Sequence, residues 1–412
     1  MKLSRVFIFA LLSFTFAEAV AQNDSILVTN KDTVAYRYTP IENVAPQPRE
    51  RKGREVFMRY FVGSDTNDGS EQKVRMTFVP TIYYTRTTSA GLALMASGRY
   101  RLDKQNRTIP ASDFSVYATA SLTGFYRVGA SGHNIFRNDN QRISYNVEFF
   151  SMPTKFWGVG YDAAMTNEAI NYLASRTLVD ARFMQKVAKG FYVGAGADFD
   201  YHFGKFGGSK YASEAEFLAR LNGEGVEYNA TGISLYASYD TRDAISNPQR
   251  GVYVGVQAKV RPRGMNSVGQ TLWCCRLSAN YYQRLWKGAT LAFDLQGELN
   301  SKGTPWVYNA SLGSALRGYY AGRFNDLCAI SLQAELRQRI YKRFGAVAWG
   351  GVANVFSDFR SFAWNKTLPT YGVGLRYEIV NGINVRLDYG FGGRDYRGKL
   401  IHGAVFSLNE AF

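Results

Sequence analysis

The sequence predicts an all-β protein, a transmembrane antiparallel β-barrel of about sixteen strands. Three observations predict it: long segments that alternate apolar and polar residues, no apolar run in the mature chain long enough for a membrane helix, and connections that alternate between short and long. Over residues 383–392 the odd positions are Ile383, Val385, Leu387, Tyr389 and Phe391, and the even ones are Asn384, Arg386, Asp388, Gly390 and Gly392. A period of two gives a strand one apolar and one polar face. Residues 290–300, 252–261, 233–240 and 330–340 repeat the scheme. A soluble sandwich also alternates, but its strands average five or six residues, whereas a tilted membrane strand needs ~9 to 11. The charges Lys259, Asp294, Glu298, Arg386 and Asp388 recur at inward positions, which suits a wet lumen and is costly in lipid.

Taken in order, residues 1–21 read as a signal peptide. Lys2 and Arg5 precede an apolar run from Val6 to Phe16, and Ala19-Val20-Ala21 offers the small-residue cleavage pattern. No Cys follows it, so lipid attachment is not indicated. Residues 22–70 hold Pro40, Pro46, Pro48 and a basic run over 49–54 with little apolar periodicity, and are expected to form an extended periplasmic segment. The barrel is expected over 71–412. Strands are predicted near 74–85, 91–102, 115–128, 142–151, 156–165, 175–186, 190–203, 231–240, 251–261, 273–286, 289–300, 328–341, 345–356, 369–380, 383–392 and 401–412. Short links such as Lys287-Gly288, 342–344 and the hairpin pair Asn381-Gly382 belong on the periplasmic side, and long ones at 204–230, 262–272 and 302–327 belong outside. The predicted location is the bacterial outer membrane.

Other function classes find little support. The three histidines, His133, His202 and His402, are scattered, so neither a metal cluster nor a histidine-centred triad is suggested. Ser131-Gly132-His133 is the sole hint of rim catalysis, and it lacks an identifiable orienting partner. No Gly-x-Ser-x-Gly elbow occurs. Residues 393–399 resemble a phosphate loop superficially, but Leu400 stands where Ser or Thr is needed, so an external hairpin loop is expected. No enzyme, metal or cofactor is predicted. Cys274 and Cys275 are adjacent and point to opposite faces of one strand, and with Cys328 they give no disulfide framework. The formal charge of +16 is spread over loops, turns and lumen positions, which argues against nucleic acid and for solvated surface and lipopolysaccharide phosphates.

Three segments resemble the BamA/TamA superfamily of outer-membrane proteins, also called the bacterial surface antigen family. Leu316-Arg317-Gly318-Tyr319-Tyr320, followed by Gly322-Arg323-Phe324, is similar to its Arg-Gly-Phe/Tyr motif, and the strand count places it in the sixth external loop, where that family carries it. Tyr239-Asp240-Thr241-Arg242-Asp243, then Pro248 and Gly251, resembles its Asp-x-Arg-Asp turn. Glu335 and the segment 371–377 resemble its closing strands, and Phe412 resembles the C-terminal aromatic of the outer-membrane sorting signal.

An Arg on a long loop that folds back toward the lumen can find a carboxylate, and Glu335, inward on the next strand, is the expected partner of Arg317, with Tyr319 packing beside it. The family's Phe-x-Asp-x-Gly is degraded here to Trp349-Gly350-Gly351-Val352-Ala353, so the lock is expected to rest on Glu335 alone. The segment 22–70 is too short and poorly patterned for the periplasmic POTRA modules of family members that insert or secrete proteins. A short member lacking them is expected, served by a periplasmic or outer-membrane partner protein. The resemblance implies assistance to insertion or translocation of proteins or lipids; the alternative is a passive channel or structural surface barrel on the same scaffold.

Overall fold

Alternating side-chain direction lets each strand give one face to lipid and one to the interior, and only closure of the sheet satisfies every backbone group without an edge. The computed structural model describes residues 75–412 except 86–88, 101, 103–111, 123, 222–223, 244–246, 313–315, 381–382, 396 and 409–411. The expected signal peptide, the segment 22–70 and the Asn381-Gly382 hairpin pair therefore lie outside the described residues.

The chain runs β1 (Arg75–Thr85), β2 (Ser89–Tyr100), β3 (Ser112–Ser121), β4 (Tyr126–Ile135), β5 (Gln141–Phe156), α1 (Tyr161–Thr166), β6 (Ile170–Ala188) and β7 (Phe191–Lys205). It continues through α2 (Glu214–Ala219), β8 (Glu227–Asp240), β9 (Gly251–Arg261), β10 (Leu272–Arg284), β11 (Ala289–Asn300) and the two-residue strands β12 (Ala310–Ser311) and β13 (Asn325–Asp326). It ends with β14 (Cys328–Tyr341), β15 (Phe344–Phe356), β16 (Leu368–Val380), β17 (Ile383–Arg394) and β18 (Leu400–Leu408). Sixteen of these pair antiparallel with their chain neighbours in one sheet, β11 lying directly beside β14, while β12 and β13 pair with each other inside the long loop between them. No helix among the described residues is long and apolar enough to cross a membrane.

The two faces are as distinct as the alternation predicts. On β14, Ile330, Leu332 and Leu336 are exposed outside, while Ser331, Gln333, Glu335 and Arg337 are buried inside. Phe183, Phe199, Ile233, Leu235, Val256, Val373 and Leu375 extend the outward apolar belt to other strands. The interior charges meet one another rather than open water: Arg176 makes two hydrogen bonds to Asp200 at 2.9 and 2.8 Å, and Lys259 lies 2.6 Å from Asp198. Buried charges persist only when paired in this way.

Several strands run longer than expected, β5 to Phe156 and β6 from Ile170 among them, and two expected segments are misassigned. The segment 115–128 is two strands, because a tight turn intervenes at 122–125, with Gly124 at φ +84° and Ser121 N–H bonded to Phe125 O at 2.8 Å. Val116, Tyr126 and Val128 all face outward, so the turn preserves the even phase and is invisible to periodicity. The segment 156–165 is no strand: β5 ends at Phe156, Gly158 and Gly160 take positive φ, and α1 follows. The two errors cancel in the count. Of the expected strand 401–412, β18 covers the residues to Leu408 and 409–411 lie outside the described residues; the Phe412 ring lies 5.3 Å from the Arg337 guanidinium, and its backbone oxygen accepts from Arg337 Nη2 at 2.7 Å.

Candidate functional site: a loop locked into the lumen

The connection between β11 and β14 is long enough to cross the barrel mouth, and its sequence holds it at both sides. On the first side, Tyr308 donates to the Asp200 carbonyl of β7 at 2.9 Å, with the Arg261 guanidinium 4.2 Å from its ring centroid. Trp306 packs on Phe156, Tyr172 and Phe217, and its indole N–H donates to Gly225 O at 3.0 Å. The short helix α2, capped by Ser213 accepting from Glu216 N–H, brings fully buried Phe217 into this cluster.

On the other side stands Arg317, 2% exposed. Its Nη1 donates to Glu335 of β14 at 2.5 Å and to Asp388 of β17 at 3.0 Å, and its Nη2 reaches Gln333 at 3.4 Å. The guanidinium lies 3.8 Å from the Trp349 ring centroid of β15. Both carboxylates are fully buried. Arg337 binds Glu335 at 2.8 Å, Arg376 bonds Asp388, and Arg386 stands 3.9 Å from Asp388, so two acids are held among four arginines. Removing either acid would leave buried cations facing one another.

Backbone contact completes the lock. Thr370 Oγ1 donates to Arg317 O at 2.7 Å. Gly318 sits at φ +107°, where a Cβ would fall 2.8 Å from the Gly390 backbone, and a Cβ on Gly390 would fall 2.5 Å from Arg317 O. The loop thus lies directly on the β17 wall, a contact that only glycine on both sides permits. Tyr319 was expected beside Glu335; instead its ring covers Gly392, its hydroxyl donates to Pro369 O at 2.8 Å and it accepts from Gly393 N–H at 2.6 Å. Burial pushes the Tyr319 hydroxyl up to about 12. Phe324 packs edge-on against that ring, and Leu316, Leu312 and Ala164 of α1 join them.

The structure brings Arg317, Gly318, Tyr319 and Glu335 into one site, joins Phe412 to it through Arg337, and places the Asp240, Arg242 and Asp243 turn elsewhere. The expectation that Glu335 alone holds Arg317 is corrected: Asp388 is a second carboxylate ligand, and Trp349, Gln333, Gly390 and Gly392 were also missed. A signal existed, since Asp388, Gly390 and Gly392 share the inward phase of β17. Asp240, Arg242 and Asp243 form a self-contained turn. Arg242 makes two bonds to Asp240 at 2.9 Å each and lies 4.5 Å over Tyr253, and Asp243 accepts from the N–H groups of Gln249 and Arg250. His133 Nδ1 is 3.4 Å from Asp113, yet no hydrogen bond joins it to Ser131 among the described residues. The loop after β17 is a hairpin in which Asp395 accepts from the N–H groups of Arg397 and Lys399. Cys274 is buried inside and Cys275 exposed outside.

No protein-family profile and no curated protein matches the chain. Among solved structures, BamA from Haemophilus ducreyi lacking POTRA domains 1–3 superposes with a TM-score of 0.50 at 11% identity, over 86% of this chain and 77% of that one. The fold is that of an outer-membrane β-barrel. CdiB from Acinetobacter baumannii superposes on the barrel with a TM-score of 0.52 at 12% identity, over 82% of this chain, which spans 60% of CdiB's length. Identity at this level speaks for the barrel architecture alone.

Proposed function

We propose that this chain is an outer-membrane barrel of the BamA/TamA superfamily that assists insertion or translocation of proteins or lipids, with the 301–327 loop as its lumen lock. The observation carrying this reading is the burial of Arg317 between Glu335 and Asp388. The likeness in fold to BamA supports it. A passive channel, the competing reading, needs an open path, whereas this loop is fixed to walls on both sides of the lumen. Lipids of the outer membrane and a periplasmic partner protein are the expected associates.

Depletion tests it: loss of the chain is expected to lower the amounts of other folded barrels or surface lipoproteins in the outer membrane. Normal assembly after complete depletion overturns the assembly role. Planar-bilayer recording separates the competing reading, because the wild-type barrel is expected to stay closed and steady open-state conductance would favour a channel.

A further inference from the structure

Strict alternation makes its exceptions informative. On β15 the odd residues Val347, Trp349, Ala353 and Val355 are buried inside, and the even residues Phe344, Ala348 and Val352 are exposed outside. Asn354 and Phe356 continue the outward phase, yet they are only 2% and 5% exposed. Cys328, outward on β14 and paired in register with Phe356, is buried as well.

What covers Asn354 and Phe356 is the 357–367 loop, folded back over the outer wall. Asn354 Nδ2 donates to Ala363 O at 2.9 Å and to Thr367 Oγ1 at 3.3 Å. The Phe356 ring packs on Phe359 and Phe362 at centroid distances of 5.9 and 5.4 Å, and Phe362 stands edge-on to Trp364 at 5.0 Å. Two aromatics of this outer cluster remain open, Phe359 at 73% and Trp364 at 82% exposure. Exposed Arg360 adjoins Phe359.

The height of the cluster identifies what meets it. At the turn end of β15, exposed Phe344 packs on Tyr377 at 5.0 Å, which marks one aromatic girdle. The climb from Phe344 to Asn354 covers about 26 Å, at ~3.4 Å per residue and a tilt of ~40°. The apolar band of such barrels is ~25 Å tall, so the cluster stands at the opposite interface, continuous with the lipid-facing belt below it. Exposed Tyr371 on β16, stacked on Phe391, pairs in register with Gly350 and belongs to the lipid-facing belt below the cluster.

We propose that the 357–367 loop is a membrane-interface anchor, with Phe359 and Trp364 seated at the boundary between headgroups and acyl chains of the loop-side leaflet and Arg360 directed at lipid phosphates. Tryptophan prefers that depth because its ring is apolar and its N–H needs a polar partner. The anchor is also tied inward. Lys366 binds Asp162 of α1 at 2.6 Å, and the Ala164 carbonyl of the same helix accepts from Arg323 of the locked loop at 3.0 Å.

The test is a difference measurement, since the chain has six tryptophans. Wild type and Trp364→Phe are reconstituted in dioleoylphosphatidylcholine vesicles, with and without lipid brominated at carbons 6 and 7 or at carbons 11 and 12. The difference spectrum isolates Trp364, and heat-modifiable gel mobility verifies folding of both proteins. The expected result is blue-shifted emission quenched at least twofold, and more strongly by the 6,7-bromolipid. Emission like that of indole in water, or blue-shifted emission insensitive to both bromolipids because protein covers the ring, overturns the proposal. Phe359→Trp in the Trp364→Phe background supplies a second reporter, expected to behave the same way.

Discussion

Replacing Arg317 by Met removes the cation while keeping most of the side-chain length. In the structure that cation serves two buried carboxylates and faces Trp349. Breaking a buried ion pair by deleting one partner costs about 3–5 kcal/mol. Here Arg337 and Arg376 still neutralise the acids, so the lower end applies, about 3 kcal/mol, or roughly a hundredfold in the opening equilibrium of the loop. Hydrogen exchange at the amides of Tyr319 and Arg323, whose acceptors are Leu316 O and Tyr320 O, reads that equilibrium directly. Glu335→Gln is expected to have an effect of similar or larger size, because it leaves four arginines around Asp388. In the double variant the losses should fall short of additivity by at least ~1 kcal/mol, within the range of coupled neighbours. Additivity to within ~0.5 kcal/mol, or unchanged exchange in Arg317→Met, would refute the lock.

Gly392→Ala places a methyl 2.3 Å from the Tyr319 ring and is expected to raise tryptic cleavage after Arg323 about tenfold while the barrel keeps its heat-modifiable mobility. Tyr319 is neutral in its bonds to Pro369 and Gly393, and its folded value lies above the ordinary 10, so its contribution is complete below pH 10 and lost as pH rises toward 12. Loop protection from exchange, corrected for the intrinsic rate, should therefore fall across that window, and Tyr319→Phe should abolish the step. For the faces of β10, an apolar maleimide should label Cys275 in vesicles and leave Cys274 untouched, while a charged maleimide labels neither; labelling of Cys274 in the folded barrel would contradict its burial.

The barrel was legible because its rule is local. A period of two needs no knowledge of partners, and inward Arg386, Asp388 and Asp294 could be assigned from phase alone. The turn at Gly124 escaped because it preserves phase, and α1 escaped because alternation in 156–165 does not distinguish a strand from a loop with two glycines. At the site, Arg317 and Glu335 are neighbours in chain order across one loop, so their meeting was within reach. Asp388 was not, since it comes from a strand three places further along the sheet, and only the curvature of the sheet brings β17 to the loop. The loop over Asn354 was equally hidden, because phase alone says that Asn354 faces outward and gives no hint that the chain doubles back to cover it.

The two attachments of the 301–327 segment lie half-way round the sheet from each other, Tyr308 on the seventh strand of the order and Arg317 on the fifteenth. A sheet tied at two distant strands by one segment resists being pulled apart or flattened there. Widening or flattening it first demands that one end of the tie let go, and the arginine end is the one built from charges that a competing acid or base can address. Stiffness of the cylinder against that deformation therefore has a contribution from the loop in addition to that of the hydrogen-bonded wall.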